Sequence, residues 1–292
     1  MEILDGKRIL QEIKDELKQE VQQITSSGQR PPCLVAILAG NDGASETYVA
    51  SKEKNSQECG FTSHIVRFPA TITEAELLAE INRLNNDDSV DGFIVQMPLP
   101  AHINATRVID AIAPEKDVDG FTTINTGKLT KGFDCFIPAT PMGVMEMLRR
   151  YNIPTAGKHC VVIGRSDIVG RPMSILMSLN ANPGNCTVTL CHSKTANLPE
   201  ICRSADIIIA ALGKAKFLQA DMVKDGAVVI DVGITRLPDA SKKSGFRLAG
   251  DVKFSEVAPK CSYITPVPGG VGLMTIASLL QNTLKAYKMR KA

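Results

Sequence analysis

The run from Pro32 to Ala39 is apolar throughout and ends at Gly40. A strand that presents apolar side chains on both faces has to be covered on both, which is the condition of a parallel sheet lying between helices. The residues that follow meet that condition. Ser45 is placed to cap a helix over Glu46–Glu58, which Gly60 stops, and Phe61–Phe68 reads as a second strand. Glu74–Asn86 is a helix with Leu77, Leu78, Ile81 and Leu84 on one face, and Val90–Gln96 is a third strand. Strand and helix alternate, so the fold class is α/β.

Pro98–Pro141 is richer in Pro and Gly and has loop composition. A new alternation then starts, with strands at Cys160–Ile163, Thr187–Cys191, Ile207–Ala211, Ala227–Val232 and Tyr263–Val267. Helices are expected from Pro141 to about Tyr151 and over Val169–Leu179, Leu198–Ala205 and Leu273–Lys285, with a charged, hairpin-like segment over Arg236–Arg247. At 292 residues the chain has the length of two α/β domains.

Charge excludes several roles. Lys plus Arg number 33 against 31 Asp plus Glu, a formal +2, so no global field recruits nucleic acid or an anionic membrane. No apolar run approaches the ~20 residues that span a bilayer. Met1–Ile24 spaces Ile9, Leu10, Ile13, Leu17, Val21 and Ile24 as an amphipathic helix, unlike a signal or transit peptide, which points to the cytoplasm. The eight cysteines form no C-x-x-C pair and no clustered metal-ligand set, so reduced, buried thiols and no metal are expected.

The strand Cys160–Ile163 runs into Gly164-Arg165-Ser166-Asp167-Ile168-Val169-Gly170 and a helix. A glycine turn there lets backbone approach a pyrophosphate while the helix N-terminus offers unpaired N–H groups. The spacing is not G-x-G-x-x-G, and a plain βα turn has the same look. The next strand ends Cys191-His192-Ser193-Lys194 without the carboxylate that would accept a ribose 2′-hydroxyl, which with Arg165 favours NADP over NAD.

In the first half, Tyr48 and Lys52 stand at i and i+4 on one helix face, and Gln96 ends a central strand where α/β sheets present ligand-binding groups. Asp117 and Asp119 bracket Val118 before Gly120-Phe121, and Pro266-Val267-Pro268-Gly269-Gly270-Val271-Gly272 is a turn before the last helix. Singly, each also reads as an ordinary surface lysine, strand end, turn or helix stop.

Together, in order and spacing, Tyr48–Lys52, Val90–Gly92 with Gln96–Pro100, Pro114–Phe121, Gly164–Ser166 with Val169-Gly170, and Pro266–Gly272 resemble the bifunctional methylenetetrahydrofolate dehydrogenase/methenyltetrahydrofolate cyclohydrolase family, over nearly the whole chain. The resemblance implies oxidation of 5,10-methylenetetrahydrofolate by NADP, then hydrolysis of the methenyl cation to 10-formyltetrahydrofolate, within one-carbon metabolism. It implies two α/β domains around a cleft, residues 1–144 plus 273–292 for folate and the Rossmann-like 145–272 for NADP, in a cytoplasmic homodimer.

It also implies roles: Lys52 for proton transfer, Gln96 orienting it, Tyr48 stacking on folate, Asp119 accepting from the pterin, and the backbone of Pro268, Gly269, Gly270, Val271 and Gly272 lining the folate pocket. Gly164, Arg165, Ser166, Ser193 and Ile234 would contact NADP. The chain departs from the family's pattern at Ala139, where Cys is usual, at Leu273, where Pro is usual, and at Met142. The competing readings are another two-domain NADP dehydrogenase of the amino-acid or shikimate kind, a dehydrogenase without cyclohydrolase activity, and a non-catalytic nucleotide sensor.

Overall fold

The computed structural model describes residues 1–242 and 245–291; Lys243 and Ser244, inside the segment expected as a charged hairpin, and Ala292 lie outside the described residues. The chain divides into two compact units, Met1–Leu10 with Ala139–Thr275 and Gln11–Pro138 with Ile276–Ala292. The elements begin with β1 (Glu2–Ile3), α1 (Gly6–Ser26), β2 (Cys33–Ala39), α2 (Gly43–Glu58), β3 (Thr62–Phe68), α3 (Glu74–Asn85) and β4 (Gly92–Val95). Helices α4 (Ala105–Asp110), α5 (Thr123–Thr130) and α6 (Ala139–Arg150) precede β5 (His159–Ile163), α7 (Gly170–Ser178), β6 (Thr187–Cys191), α8 (Leu198–Ser204), β7 (Ile207–Ala210) and β8 (Ala227–Asp231). The chain closes with β9 (Thr235–Pro238), β10 (Phe246–Ala249), α9 (Phe254–Val257), β11 (Cys261–Ile264) and α10 (Val271–Met289).

The second unit is built on a parallel sheet of order β3-β2-β4. All of β2 is buried, and its alternation sorts it onto two cores. Cys33, Val35 and Ile37 pack with Leu77, Ile81 and Val108, whereas Leu34, Ala36 and Leu38 pack with Val49, Leu279 and Ala286. That is the two-sided burial demanded by the apolar run.

The first unit holds a six-stranded parallel sheet, β1-β11-β8-β7-β5-β6, and an antiparallel pair β9-β10. From β5 the chain moves to β6 on one side and then to β7 on the other, so the topological switch lies between β5 and β7. Open α/β sheets bind ligands at the carboxyl ends of strands at such a point.

Local hydrogen bonding explains where sequence expectation and structure differ. Asp5 Oδ1 accepts from the N–H of Lys7 at 2.8 Å and of Arg8 at 3.2 Å, so α1 starts at Gly6 and the residues before it form β1. The cap of α2 is Asp42, which accepts from Ser45 N at 2.8 Å; Ser45 itself is capped and is not the cap. The stretch expected as loop contains α4 and α5, each too short for a periodic signal and each started by a side-chain cap, Asn104 and Thr122. All eight cysteines are buried and unpaired, and among the described residues no helix is long and apolar enough to cross a membrane.

Candidate active site

Helix α2 buries Ser45, Val49 and Ser56, and its C-cap Cys59 is buried too, a face that fixes where the neighbouring positions point. Lys52, half-buried beside that face, donates from Nζ to Gln96 Oε1 at 3.1 Å. Gln96 is held at both ends of its own residue: its N–H donates to Ile37 O at 2.9 Å, and its Nε2 donates to Met97 O at 2.8 Å. With Nε2 committed to a carbonyl, Oε1 is the atom left to face the lysine. Tyr48, one turn earlier, is 42% exposed and offers its ring to solvent.

Asp119 lies on a loop made rigid by its neighbour. The buried Asp117 carboxylate accepts from Phe121 N at 3.1 Å, Thr122 N at 2.8 Å and Asn125 Nδ2 at 2.9 Å. Gly120 (φ +69°) turns the chain where a Cβ would stand 2.6 Å from Phe136 O. Asn282 Nδ2 bridges Val118 O and Ile137 O. Asp119 and Lys52 are close enough for their charges to act on each other. Burial pushes the lysine below its ordinary pKa, with Asp119 opposing, and pushes the Asp119 carboxyl up, with Lys52 opposing and Asp117 adding to the rise. The result is an amine brought toward the neutral, proton-accepting form beside a fixed amide oxygen.

In the first unit the strand β5 is followed by Gly164, whose φ is +121° and whose Cβ, if it had one, would lie 2.1 Å from Ala211 O. Gly170 is equally closed, with Gly164 O 2.0 Å from its would-be Cβ. Only glycine fits either position. The first-turn N–H groups of α7 are not free as expected: Gly170 N donates to Ser166 Oγ, Arg171 N to Ser166 O, and Pro172 has none. Arg165 and Ser166 are exposed, and their N–H groups make no hydrogen bond among the described residues, so the donors open to an anion here are those of the turn itself.

A nucleotide fits this place. The glycines open the backbone, Arg165 is an exposed cation, and β6 ends at Cys191 followed by Ser193 and Lys194, both exposed, with no carboxylate. Ile234 is 42% exposed. The turn Pro268–Gly272 belongs to this same unit; Gly269 O accepts from Gly6 N at 2.9 Å, and Gly272 has Ile234 Cδ1 2.9 Å from its would-be Cβ. Thus Lys52 and Gln96 are bonded and Asp119 and Tyr48 are near Lys52, whereas the other expected contacts group on the first unit. Two buried carboxylates there, Asp231 and Asp251, escaped the sequence reading. Their one signal is an isolated Asp at the end of an apolar strand or after Gly250.

Residues 4–119 match the family described as tetrahydrofolate dehydrogenase/cyclohydrolase, catalytic domain, and residues 138–291 match its NAD(P)-binding domain. The chain is 60% identical over 286 residues to the bifunctional protein FolD of Porphyromonas gingivalis, covering 98% of this chain and 97% of that one. The crystal structure of the bifunctional FolD methylenetetrahydrofolate dehydrogenase/cyclohydrolase from Campylobacter jejuni aligns with TM-score 0.93 at 50% identity, covering 99% of each chain. A Trypanosoma brucei dehydrogenase-cyclohydrolase, solved with NADP cofactor and inhibitor, aligns with TM-score 0.93 at 38% identity over 99% of this chain and 97% of that one.

Proposed function

This chain belongs to the tetrahydrofolate dehydrogenase/cyclohydrolase family, and from that premise we propose how its own side chains divide the two reactions. It is a bifunctional enzyme of one-carbon metabolism: it oxidises 5,10-methylenetetrahydrofolate to the 5,10-methenyl cation with NADP, then hydrolyses the cation to 10-formyltetrahydrofolate. NADP, when bound, supplies the hydride acceptor. The oxidation gives a resonance-stabilised cation without need of a protein acid or base, so the protein's work there is alignment. We assign Gly164, Arg165, Ser166, Ser193 and Ile234 to holding the nucleotide.

Hydrolysis makes a different demand. Water adds to the methenyl carbon and loses a proton, the bond from that carbon to N5 breaks, and N5 takes a proton up. We assign the proton-accepting role to Lys52, because a half-buried amine of lowered pKa reaches its neutral form nearer to physiological pH. The observation that carries this reading is the Lys52 Nζ to Gln96 Oε1 bond, which orients one lone nitrogen with an amide that is itself held. Asp119 is assigned to the pterin's paired N–H donors and Tyr48 to the face of the folate ring. The backbone of Pro268–Gly272 is likewise assigned to folate.

In the same proposal, residues 1–144 with 273–292 serve folate and 145–272 serve NADP. The protein works in the cytoplasm, where eight unpaired thiols stay reduced, as a homodimer. The test supplies purified protein with 5,10-methylenetetrahydrofolate and NADP, follows NADPH, and then follows loss of added 5,10-methenyltetrahydrofolate. Both progress curves are expected to exceed the uncatalysed rates; nucleotide binding without turnover would overturn the reading in favour of a sensor.

A further inference from the structure

The turn that follows β7 stands at the switch point of the six-stranded sheet, with Ala211 O against Gly164. Its next two residues point their N–H groups at a single carboxylate. Asp251 Oδ2 accepts from Leu212 N at 2.6 Å and from Gly213 N at 2.8 Å. Successive N–H groups so arranged form an anion-binding nest, and here the chain fills it with its own side chain.

Asp251 is fixed in turn by Asp231. Asp231 Oδ1 accepts from Asp251 N at 2.8 Å and Gly233 N at 3.0 Å, and its Oδ2 accepts from Val252 N at 3.0 Å. The packing tolerates no slack, because a Cβ on Gly233 would meet Asp251 Oδ1 at 2.2 Å and one on Gly250 would meet Asp231 Oδ2 at 1.9 Å. Gly233 directly precedes the exposed Ile234. The two carboxylates therefore bind the ends of β7 and β8 into one piece.

That construction is costly. Asp231 and Asp251 are 3% and 0% exposed, neither has a cationic partner among the described residues, and Asp251 Oδ1 is buried without any partner. Burial pushes both carboxyls up, Asp231 to about 6. Carboxylates buried without a cation work against the fold even when backbone N–H groups bond them, and a costly arrangement of this kind at a ligand-binding switch point is where a preset backbone has most use.

We propose that Asp251, held by Asp231, is a positioning residue for the nucleotide: it fixes the Leu212-Gly213 turn against the Gly164 turn, so that NADP meets a backbone already set. The inference rests on the assignment of NADP to this unit. It concerns Asp251 acting through the backbone, not through contact with the reacting atoms.

The test measures NADPH affinity by fluorescence for the wild type, Asp251→Ala and Asp251→Asn, together with kcat and KM for hydrolysis of 5,10-methenyltetrahydrofolate without nucleotide. Asp251→Ala is expected to weaken NADPH about tenfold or more, or ~1.4 kcal/mol, while both hydrolysis constants stay within about twofold, as expected for an interaction that acts on one ligand alone. Asp251→Asn keeps an oxygen for the nest and is expected to recover most of the affinity. Unchanged affinity in the alanine variant, equal losses of affinity and hydrolysis, or an asparagine variant no better than alanine would each overturn the proposal.

Should the alanine variant fail to fold, Gly213→Ala disturbs the same turn from its exposed side, where a Cβ meets open space but φ is +69°. It is expected to weaken NADPH several-fold with hydrolysis intact, and unchanged affinity would again overturn the proposal. A wild type that does not bind NADPH would remove the nucleotide assignment itself, a result distinct from equal binding by wild type and variants.

Discussion

The two units prepare their chemistry by opposite means. In the second unit the groups to which we assign the chemistry are side chains, Lys52 and Gln96, carried on a helix and at a strand end and joined by one 3.1 Å hydrogen bond. In the first unit the surface we assign to the nucleotide is backbone: glycines closed against carbonyls, turn N–H groups left free, and carboxylates that grip the main chain. A side-chain site should fail by loss of one function while the fold survives. A backbone site should lose affinity and stability together, because the same atoms do both jobs.

The largest effect expected from this contrast is at Lys52. Lys52→Met should lower cyclohydrolase kcat by about 100-fold or more, the range for removal of a general base, measured by the loss of methenyltetrahydrofolate. NADPH affinity should not change. Stability should hold or rise at neutral pH: burial sets the folded pKa of Lys52 below its ordinary 10.5, so the cost of the buried ammonium is present below the folded pKa and fades as pH climbs from there toward 10.5. Thermal melts across that window should show the variant's advantage shrinking as pH rises. A variant less stable than wild type at pH 7 would break the contrast.

Gly164→Ala attacks the backbone site. Its Cβ would stand 2.1 Å from Ala211 O at a φ of +121°, and strained backbone together with overpacking costs about 2–4 kcal/mol. NADPH affinity and melting temperature should fall together. Retention of both would show that the turn relaxes and that glycine is not required.

Gln96→Ala tests the orienting amide and should cost about 10- to 100-fold in hydrolysis, since a positioned hydrogen bond to a charged group is worth ~1.5–3 kcal/mol. Losing the Oε1 dipole also removes support for the ammonium, so the limb of the pH–rate profile governed by Lys52 should move to lower pH. An unmoved limb would mean that Gln96 does not act through Lys52.

The same contrast explains what was legible in the sequence. The apolar run Pro32–Ala39 announced a strand covered on both faces, because side-chain pattern and burial are the same fact at that point. Lys52 and Gln96 could be singled out by helix and strand position, but their roles came only with the family resemblance, and what the structure adds is the hydrogen bond that joins them. Asp251 could not, since nothing in Ala249-Gly250-Asp251-Val252 tells that its carboxylate reaches the N–H groups of Leu212 and Gly213, 39 and 38 positions away. The same holds for α7, where free N–H groups were expected and Ser166 takes up two. Caps show the problem at short range: Asp42 and Ser45 are both cap-forming residues, and only the geometry decides that Asp42 accepts and Ser45 donates.

Leu273 offers the smallest effect and the finest test, because it lies where a relative's Pro would act on backbone alone. Helix α10 begins at Val271, two residues ahead of Leu273, and Leu273 N donates to Gly270 O at 3.2 Å. Leu273→Pro removes that bond, worth about 0.5–1.5 kcal/mol, but it stiffens the unfolded chain by about 0.4–1 kcal/mol. First-turn positions also tolerate proline. The two terms nearly cancel, so the melting temperature should move by no more than about 4 °C and hydrolysis by Lys52 should be unchanged. A rise in folate KM with stability intact would show instead that the Gly270 to Leu273 bond sets the shape of the Pro268–Gly272 turn, and that this turn is backbone machinery of the same kind as the Gly164 site.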